Sequence, residues 1–344
     1  MSQFLMIENP GVAPTEGYIL FGATTKRDSF DKRIIGTFGS GNKHAVSVSL
    51  RQSVPPVIYC GNQKMSFYTK PVTIKGVGGE TTCQRICVKF GGKDADGKTT
   101  TADKELDQTL EYGAKDWKET ALALREFVSN AIDACYEQNL DHSKVVIELV
   151  DESKVRAKAD HTRVFVPATM EVMQFYKDLG KWFLHFSEPE SLEKMILQKK
   201  NRNRGDWKNA VIYRRGVLIR EFGHEENPSL FDYNLPDLHL NESRESSDWD
   251  CRWYAGKALR DADTSLLAIF FRDVMSGQLK WEHNFDSNSF VSSYDSKEFL
   301  QERGSRWQSA LEAVAGPKGC LTSNSMMRVV SEKDTSHSFC LILF

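Results

Sequence analysis

The sequence predicts a mixed α/β protein built as two domains. Three observations lead there. At 344 residues the chain is long enough to bury two separate cores. Short runs with strand character, bounded by Gly, Pro and Asn, recur through its first 90 residues. A strongly helical stretch, residues 117–138, then breaks into the strands. Apolar residues make up 40% and charged residues 27% of the chain, a balance that belongs to a folded protein rather than a disordered one.

Taken in order, residues 4–8 (FLMIE) read as an apolar strand, and Asn9, Pro10 and Gly11 as the turn that ends it. A glycine-rich turn at 36–41 leads into 45–50, a run that fits either alternation or a helix. Residues 57–59, 65–68, 72–75 and 85–90 read as successive strands of one sheet. From 91 to 103 the chain turns to Gly, Lys, Asp and Thr, the composition of a solvated connector. The helical stretch follows, then a strand at 145–150 and a charged boundary at 151–160. Past it come a strand at 162–166, helical stretches at 170–179 and 190–198, and a strand pair at 211–220. The pattern weakens beyond about residue 273, although 307–315 has an amphipathic helical period and 339–344 is an apolar end.

Composition excludes several classes. A formal net charge of -2 gives no long-range bias toward nucleic acid or anionic membrane. Seven cysteines, an odd number without framework spacing, imply reduced thiols and a cytoplasmic location. Cys83 and Cys87 stand four apart, but no second pair follows at zinc spacing. The first ten residues lack a basic region and an apolar core, and no run reaches the roughly eighteen apolar residues of a membrane span. The expectation is a protein neither secreted nor embedded.

Residues 124–134 read LREFVSNAIDA. At 100° per residue Glu126, Asn130, Asp133 and Glu137 share one stripe of a helix, and Phe127, Val128, Ala131, Ile132 and Cys135 lie opposite. Periodicity alone makes that stripe a solvated polar face. The order of residue types adds more, because carboxylate, amide, then carboxylate followed by Ala resembles the N box of the GHKL ATPases. The resemblance implies that Glu126 is the general base acting on water, that Asn130 holds Mg²⁺ through its amide oxygen, and that Asp133 meets the adenosine side of ATP. One Asn ligand beside the phosphates is chemically sufficient for Mg²⁺, which keeps several waters.

A second run, residues 34–45 (IIGTFGSGNKHA), places Gly36, Gly39 and Gly41 at the entry to a helix. Glycines there let backbone N–H groups converge on an anion at the positive end of the helix dipole. The run resembles the GHKL phosphate-binding G2 box, and residues 20–27 (LFGATTKR) resemble the ATP lid of the heat-shock chaperone and MORC groups. Lys26 or Arg27 would reach the phosphates from that lid or remain solvated, and Lys43 has the same two readings. Residues 7–12 stand where the family has its adenine-recognising D-x-G-x-G box, with Asn9 and Gly11 as the match and Glu8 as the alternative acceptor. An Asn carbonyl can still accept a hydrogen bond from adenine.

In ordinary members the N box comes first; here it comes last. A circular permutation accounts for the order, with the joint at 91–103, and it requires strand 145–150 to pair with strand 4–8. Downstream, residues 210–221 (AVIYRRGVLIRE) and 237–245 (DLHLNESRE) resemble the middle domain of the ninety-kilodalton heat-shock chaperone. That likeness implies that Arg244 stabilises charge on the γ-phosphate. The implied architecture is an α+β sandwich over 1–150 that binds ATP, a β-α-β domain of the ribosomal S5 type over 151–275, and a C-terminal segment, 276–344, that matches nothing. The implied function is Mg²⁺-dependent ATP hydrolysis driving lid closure, of the chaperone and MutL kind, in a homodimer acting on a protein or nucleic-acid client. The alternative is an ATP-sensing module without turnover.

Overall fold

The structure is a computed structural model that describes residues 3–22, 26, 31–36, 39–92, 98, 101–199, 208–223, 225–277, 279–285, 297–317, 320–322 and 340–342. It divides into two units, Met1–Pro189 and Glu190–Phe344. Both mix helix and strand, which is the α/β class that the sequence predicts.

The first unit is a seven-stranded sheet with helices. In chain order it comprises β1 (Gln3–Pro10), α1 (Glu16–Ile19), α2 (Gly41–Arg51), β2 (Val57–Cys60), β3 (Gln63–Gly76), β4 (Gly79–Gly92) and β5 (Ala102–Thr109). These are followed by α3 (Thr120–Glu137), β6 (Val146–Asp151), β7 (His161–Pro167), α4 (Met170–Lys177), α5 (Leu179–Trp182) and α6 (Leu184–Ser187). The strand order is β5-β4-β3-β2-β7-β1-β6, and every neighbouring pair is antiparallel. Strand β1 is interior, and Leu5 through Asn9 are buried on both faces, which is why its sequence is an apolar run instead of an alternation. Met6, Tyr59, Val150 and Phe165 form a cluster with Val155 and Ala157.

The pairing required by permuted motifs is present. Phe4 stands opposite Val150, Ile7 opposite Ile147 and Glu8 opposite Val146. Several expectations need correction. The division between units lies at Pro189, not near residue 150, because β7 is not part of the second unit: it sits between β2 and β1, with Val164 opposite both Ile58 and Ile7. Strand β1 runs through Asn9 and Pro10, so the turn begins only at Gly11, whose φ is +88°. Residues 65–68 and 72–75 belong to one strand, β3, despite Pro71. The second half of β3 pairs only with β4, and a proline is tolerated at such an edge. The connector 91–103 is shortened by strand on both sides, β4 reaching Gly92 and β5 starting at Ala102; residues 93–97, 99 and 100 lie outside the described residues.

The second unit carries β8 (Ile196–Gln198), β9 (Val211–Arg214), β10 (Val217–Glu221), β11 (Phe231–Asn234), α7 (Asp248–Arg260), α8 (Thr264–Met275), α9 (Lys297–Ala315), β12 (Cys320–Thr322) and β13 (Cys340–Ile342). Strands β10-β9-β11-β8 make one sheet, with β9 and β11 parallel and the other pairs antiparallel. The stretch 190–198 is a turn and then strand β8, not a helix, because Ile196 and Leu197 are buried where β8 pairs with β11. Phe231, Tyr233, Leu259, Phe271, Trp281 and Trp307 anchor the core. Beneath them Glu282, fully buried, accepts hydrogen bonds from Ser229 Oγ (2.6 Å), Leu230 N (3.0 Å) and Tyr233 OH (3.1 Å). The amphipathic period at 307–315 falls in α9, whose Trp307 Nε1 donates to Arg260 O at 2.9 Å. Among the described residues no helix is long and apolar enough to cross a membrane.

Candidate functional site

Helix α3 organises the site. Its buried side, from Ala123 and Leu124 through Phe127, Val128, Ala131, Ile132 and Cys135, packs into the first unit's core, and α3 lies against α2 and β1. That leaves Glu126, Asn130 and Asp133 on one stripe, yet the stripe is not solvated: Glu126 is 2% exposed and Asp133 is fully buried. Buried carboxylates need partners. The partners come from the glycine run some 90 residues earlier in the chain.

Asp133 accepts Ile35 N–H at 2.7 Å on one oxygen and Gly36 N–H at 2.9 Å on the other. It therefore fastens the 34–36 segment to the helix. Asn130 donates through Nδ2 to Asn42 Oδ1 at 2.9 Å and back to Glu126 O at 2.8 Å, so its Oδ1 is the end turned toward cations. The cation there is Lys26, whose Nζ stands 3.0 Å from Asn130 Oδ1 and 2.9 Å from Asp133 Oδ2. Glu126 pairs with the Arg125 guanidinium at 3.3 Å, and Arg125 in turn lies over the Trp117 ring. A Cβ on Gly41 would run into the Glu126 carboxylate, so the first residue of α2 must be glycine for that carboxylate to lie where it does.

The start of α2 is held by an aromatic stack. His44 lies parallel to Trp117 with ring centroids 4.8 Å apart and to Tyr112 at 5.6 Å, while Phe21 meets His44 edge-on. At the far end of α2, Arg51 donates to Leu110 O at 2.5 Å and to Trp117 O at 2.7 Å. Gly39, with φ +73°, supplies the left-handed turn before α2, and Lys43 Nζ caps it by donating to Gly39 O at 2.7 Å. Lys43 is 2% exposed; burial first, and then the charge of Lys26, bring its ammonium down to about 8.

Asn9 and Gly11 lie at the other end of α3. Gly11 N donates to Asp160 O at 2.7 Å, and Gln138, just past α3, donates through Nε2 to Pro10 O at 2.9 Å and fills the space a Gly11 Cβ would take. At 1.5 Å per residue this turn is about 18 Å along the helix axis from Glu126. Asn9 is buried, its amide donating to Pro10 O at 2.7 Å. Glu8, the alternative acceptor, is engaged elsewhere: Lys158 and Arg163 bind its carboxylate, Arg163 at 2.6 Å. Burial opposes ionisation of Glu8, but these hydrogen bonds and charges prevail and hold it below the ordinary value.

Arg244 belongs to the second unit and is described with it. It is 7% exposed, its φ is +61°, and its N–H donates to Asn241 O at 3.1 Å. Arg27 lies outside the described residues.

The structure thus brings together Lys26, Gly36, Gly41, Glu126, Asn130 and Asp133, with Gly39 one turn away and Asn9 and Gly11 at the opposite end of α3. Arg125 and Asn42 complete the site without having been singled out by sequence, although Arg125 adjoins Glu126 and Asn42 lies within the glycine run.

Searches against protein-family models, curated proteins and solved structures return no match to this chain.

What the site can do chemically follows from its donors and acceptors. Two side-chain oxygens, Asn130 Oδ1 and Asp133 Oδ2, converge on one position already holding a positive charge, and an all-oxygen set of this kind suits a hard cation such as Mg²⁺. Gly39, and Gly41 as the first residue of an eleven-residue helix, offer backbone that suits phosphate oxygens, whereas the Gly36 N–H is taken by Asp133. The buried carboxylate of Glu126 lies directly against Gly41. These residues fit a nucleoside triphosphate with its metal.

Proposed function

We propose that this chain binds ATP with Mg²⁺ and hydrolyses it, as a GHKL-class protein of the chaperone and MutL kind whose nucleotide-domain motifs are permuted. One observation carries the reading: along a single helix Glu126 lies against Gly41, Asn130 bonds Asn42, and Asp133 holds Ile35 and Gly36, all in one glycine run far away in sequence. A helix that merely presented a polar face would have no reason to meet those glycines.

Asn130 would hold Mg²⁺ by its Oδ1, and the metal when bound would neutralise charge on the phosphates. Glu126 would orient a water and take its proton on a carboxylate oxygen, the distance from Gly41 fixing where that oxygen lies. The backbone around Gly39 and Gly41 would receive phosphate oxygens, and Lys26 and Lys43 would add charge to them. Asp133, which the resemblance sets on the adenosine side of ATP, has both oxygens engaged by Ile35 N, Gly36 N and Lys26, so in place of that contact it would act by holding the 34–36 segment. Arg244 would serve the terminal phosphate, an arginine-finger role that can be worth about 10³ to 10⁵ in rate. Homodimerisation, a cytoplasmic location and a protein or nucleic-acid client belong to the same proposal.

A second reading, an ATP sensor without turnover, is favoured by Lys26, whose ammonium must leave Asn130 before a metal can bind there. The deciding experiment is a calorimetric titration with ATP, ADP and a non-hydrolysable analogue, with and without Mg²⁺, beside melting curves. Binding at about 100 times the dissociation constant stabilises by about 2.7 kcal/mol. Absence of heat and of any melting shift with all three nucleotides rejects both readings. Where binding is found, Glu126→Ala is expected to retain it and lose phosphate release, and Asn130→Ala to weaken Mg·ATP binding itself.

A further inference from the structure

Asp133 is fully buried, and a carboxylate taken out of water needs donors and a counter-charge. The donors are the N–H groups of Ile35 and Gly36. The counter-charge is the ammonium of Lys26, 107 residues away in the chain and 2.9 Å from Asp133 Oδ2. Asn130 meets the same ammonium. Its amide cannot turn over, because Nδ2 uses both hydrogens, one on Asn42 Oδ1 and one on Glu126 O, so Oδ1 stays fixed toward Lys26 at 3.0 Å. The Lys26 side chain is only 12% exposed, which shelters these contacts from salt.

An ammonium and a divalent cation cannot share this position. Mg²⁺ binds oxygen at about 2.0–2.1 Å, inside the distances that Nζ keeps, and charges of one sign that close repel. A tethered lysine also binds without the translational cost that a free ion meets, and Mg²⁺ dehydrates reluctantly. One kind of ligand can draw the ammonium off: a polyphosphate, whose oxygens take a lysine as a point charge. Asn42, which bonds Asn130, follows Gly41 directly, so the backbone suited to such oxygens lies beside the position that Lys26 holds.

We propose that Lys26 is an interlock on the cation position: its ammonium keeps Asn130 Oδ1 and Asp133 Oδ2 closed to a free divalent cation and yields to a ligand that brings a polyphosphate to receive it. The identity of that ligand rests on the nucleotide reading above. What Lys26 adds is the order of uptake, with the metal entering only in company with the anion.

Manganese is the probe, since water proton relaxation distinguishes an ion on the slowly tumbling chain from one in solution or on free nucleotide; melting curves are measured beside it. With Mn²⁺ alone the full native chain is expected to show no enhancement, and to gain it when a non-hydrolysable ATP analogue is added. Lys26→Met should take up Mn²⁺ alone, about tenfold or more tighter than the native chain, the scale of one charge-assisted hydrogen bond. It should also melt below the native chain, because Asp133 loses its counter-charge, and Mn²⁺ should recover part of that loss while leaving the native melting temperature where it was. Adding Asn130→Ala should abolish both the uptake and the recovery. A lysine that merely neutralised Asp133 gives the lower melting temperature without recovery, and that result overturns the proposal, as does Mn²⁺ binding by the native chain without nucleotide. Should Lys26→Met fail to fold, Lys26→Gln, which keeps a neutral donor for Asp133, takes its place. Uptake of Mn²⁺ alone by the Lys26 variant of a chain that binds no nucleotide rejects the nucleotide reading and leaves the exclusion of free metal standing. Nucleotide binding that needs Asn130, with no uptake of Mn²⁺ alone by the Lys26 variant, rejects only the interlock.

Discussion

A single methyl group at position 41 would enter the space of the Glu126 carboxylate. Misplacement of a reacting group by about 1 Å can cost about 10²-fold, so Gly41→Ala is expected to lower phosphate release by about that factor while the fold survives; steady-state release beside a melting curve measures it. His185 offers a test at the same scale that is independent of nucleotide. It is 4% exposed, stands edge-on to His142 at 5.2 Å, and burial, then the neighbouring His142, push its imidazole down to about 3, against the pull of Asp141. The folded chain refuses a proton that the unfolded chain takes near pH 6.5. Stability from this group is therefore complete above pH 6.5 and lost progressively as pH falls toward 3. His185→Gln should flatten that loss in denaturant unfolding measured across the window, and an unchanged profile would remove His185 as its source. Of the site itself, Glu126, Asn130 and Asp133 were legible because helical spacing is a local property. What they touch was not, since Ile35, Gly36 and Asn42 meet them across separations that no local pattern encodes. Spacing could say that the stripe was polar but not that it was buried.

Among the elements, the pairing of β1 with β6 followed from motif order alone, before any strand partner was visible. Strand β5 was unreadable for a physical reason: half of its sequence, ADKELDQT, is charged, and only Leu106 and Gln108 are buried at the sheet edge. Strand β7 was recognised as a strand but assigned to the wrong unit, because a charged approach resembles a linker whether or not the chain turns back into the same sheet. Beyond Pro71 the β3–β4 hairpin is exposed on both faces, with Ile74 55% exposed and Val77 fully so. It contributes little burial, and bridging Pro71 to Gln84 by an Asn-Gly turn in place of the residues between is expected to shift the melting temperature by no more than about 2 °C, the effect of under about 1 kcal/mol at the roughly 2–4 °C per kcal/mol of a domain this size. A larger fall would mean that the arm is packed in solution.

For the molecule as a whole, each of the two units has its own core. Arg244→Ala is expected to lower turnover at saturating ATP and leave ADP affinity unchanged, because ADP has no terminal phosphate for it to meet; phosphate release compared with an ADP titration distinguishes this from a stability loss. The interior position of β1 has a further consequence, for synthesis. Residues 3–10 leave the ribosome early, but the strands that flank them, residues 146–151 and 161–167, follow about 140 residues later. At about 5–20 residues per second the wait is on the order of ten seconds. Throughout it Leu5, Met6 and Ile7 have no neighbouring strand, so the nascent chain carries an unpaired apolar strand for most of the time its first unit is being made, and slower translation of residues 11–145 should lengthen that exposure in proportion.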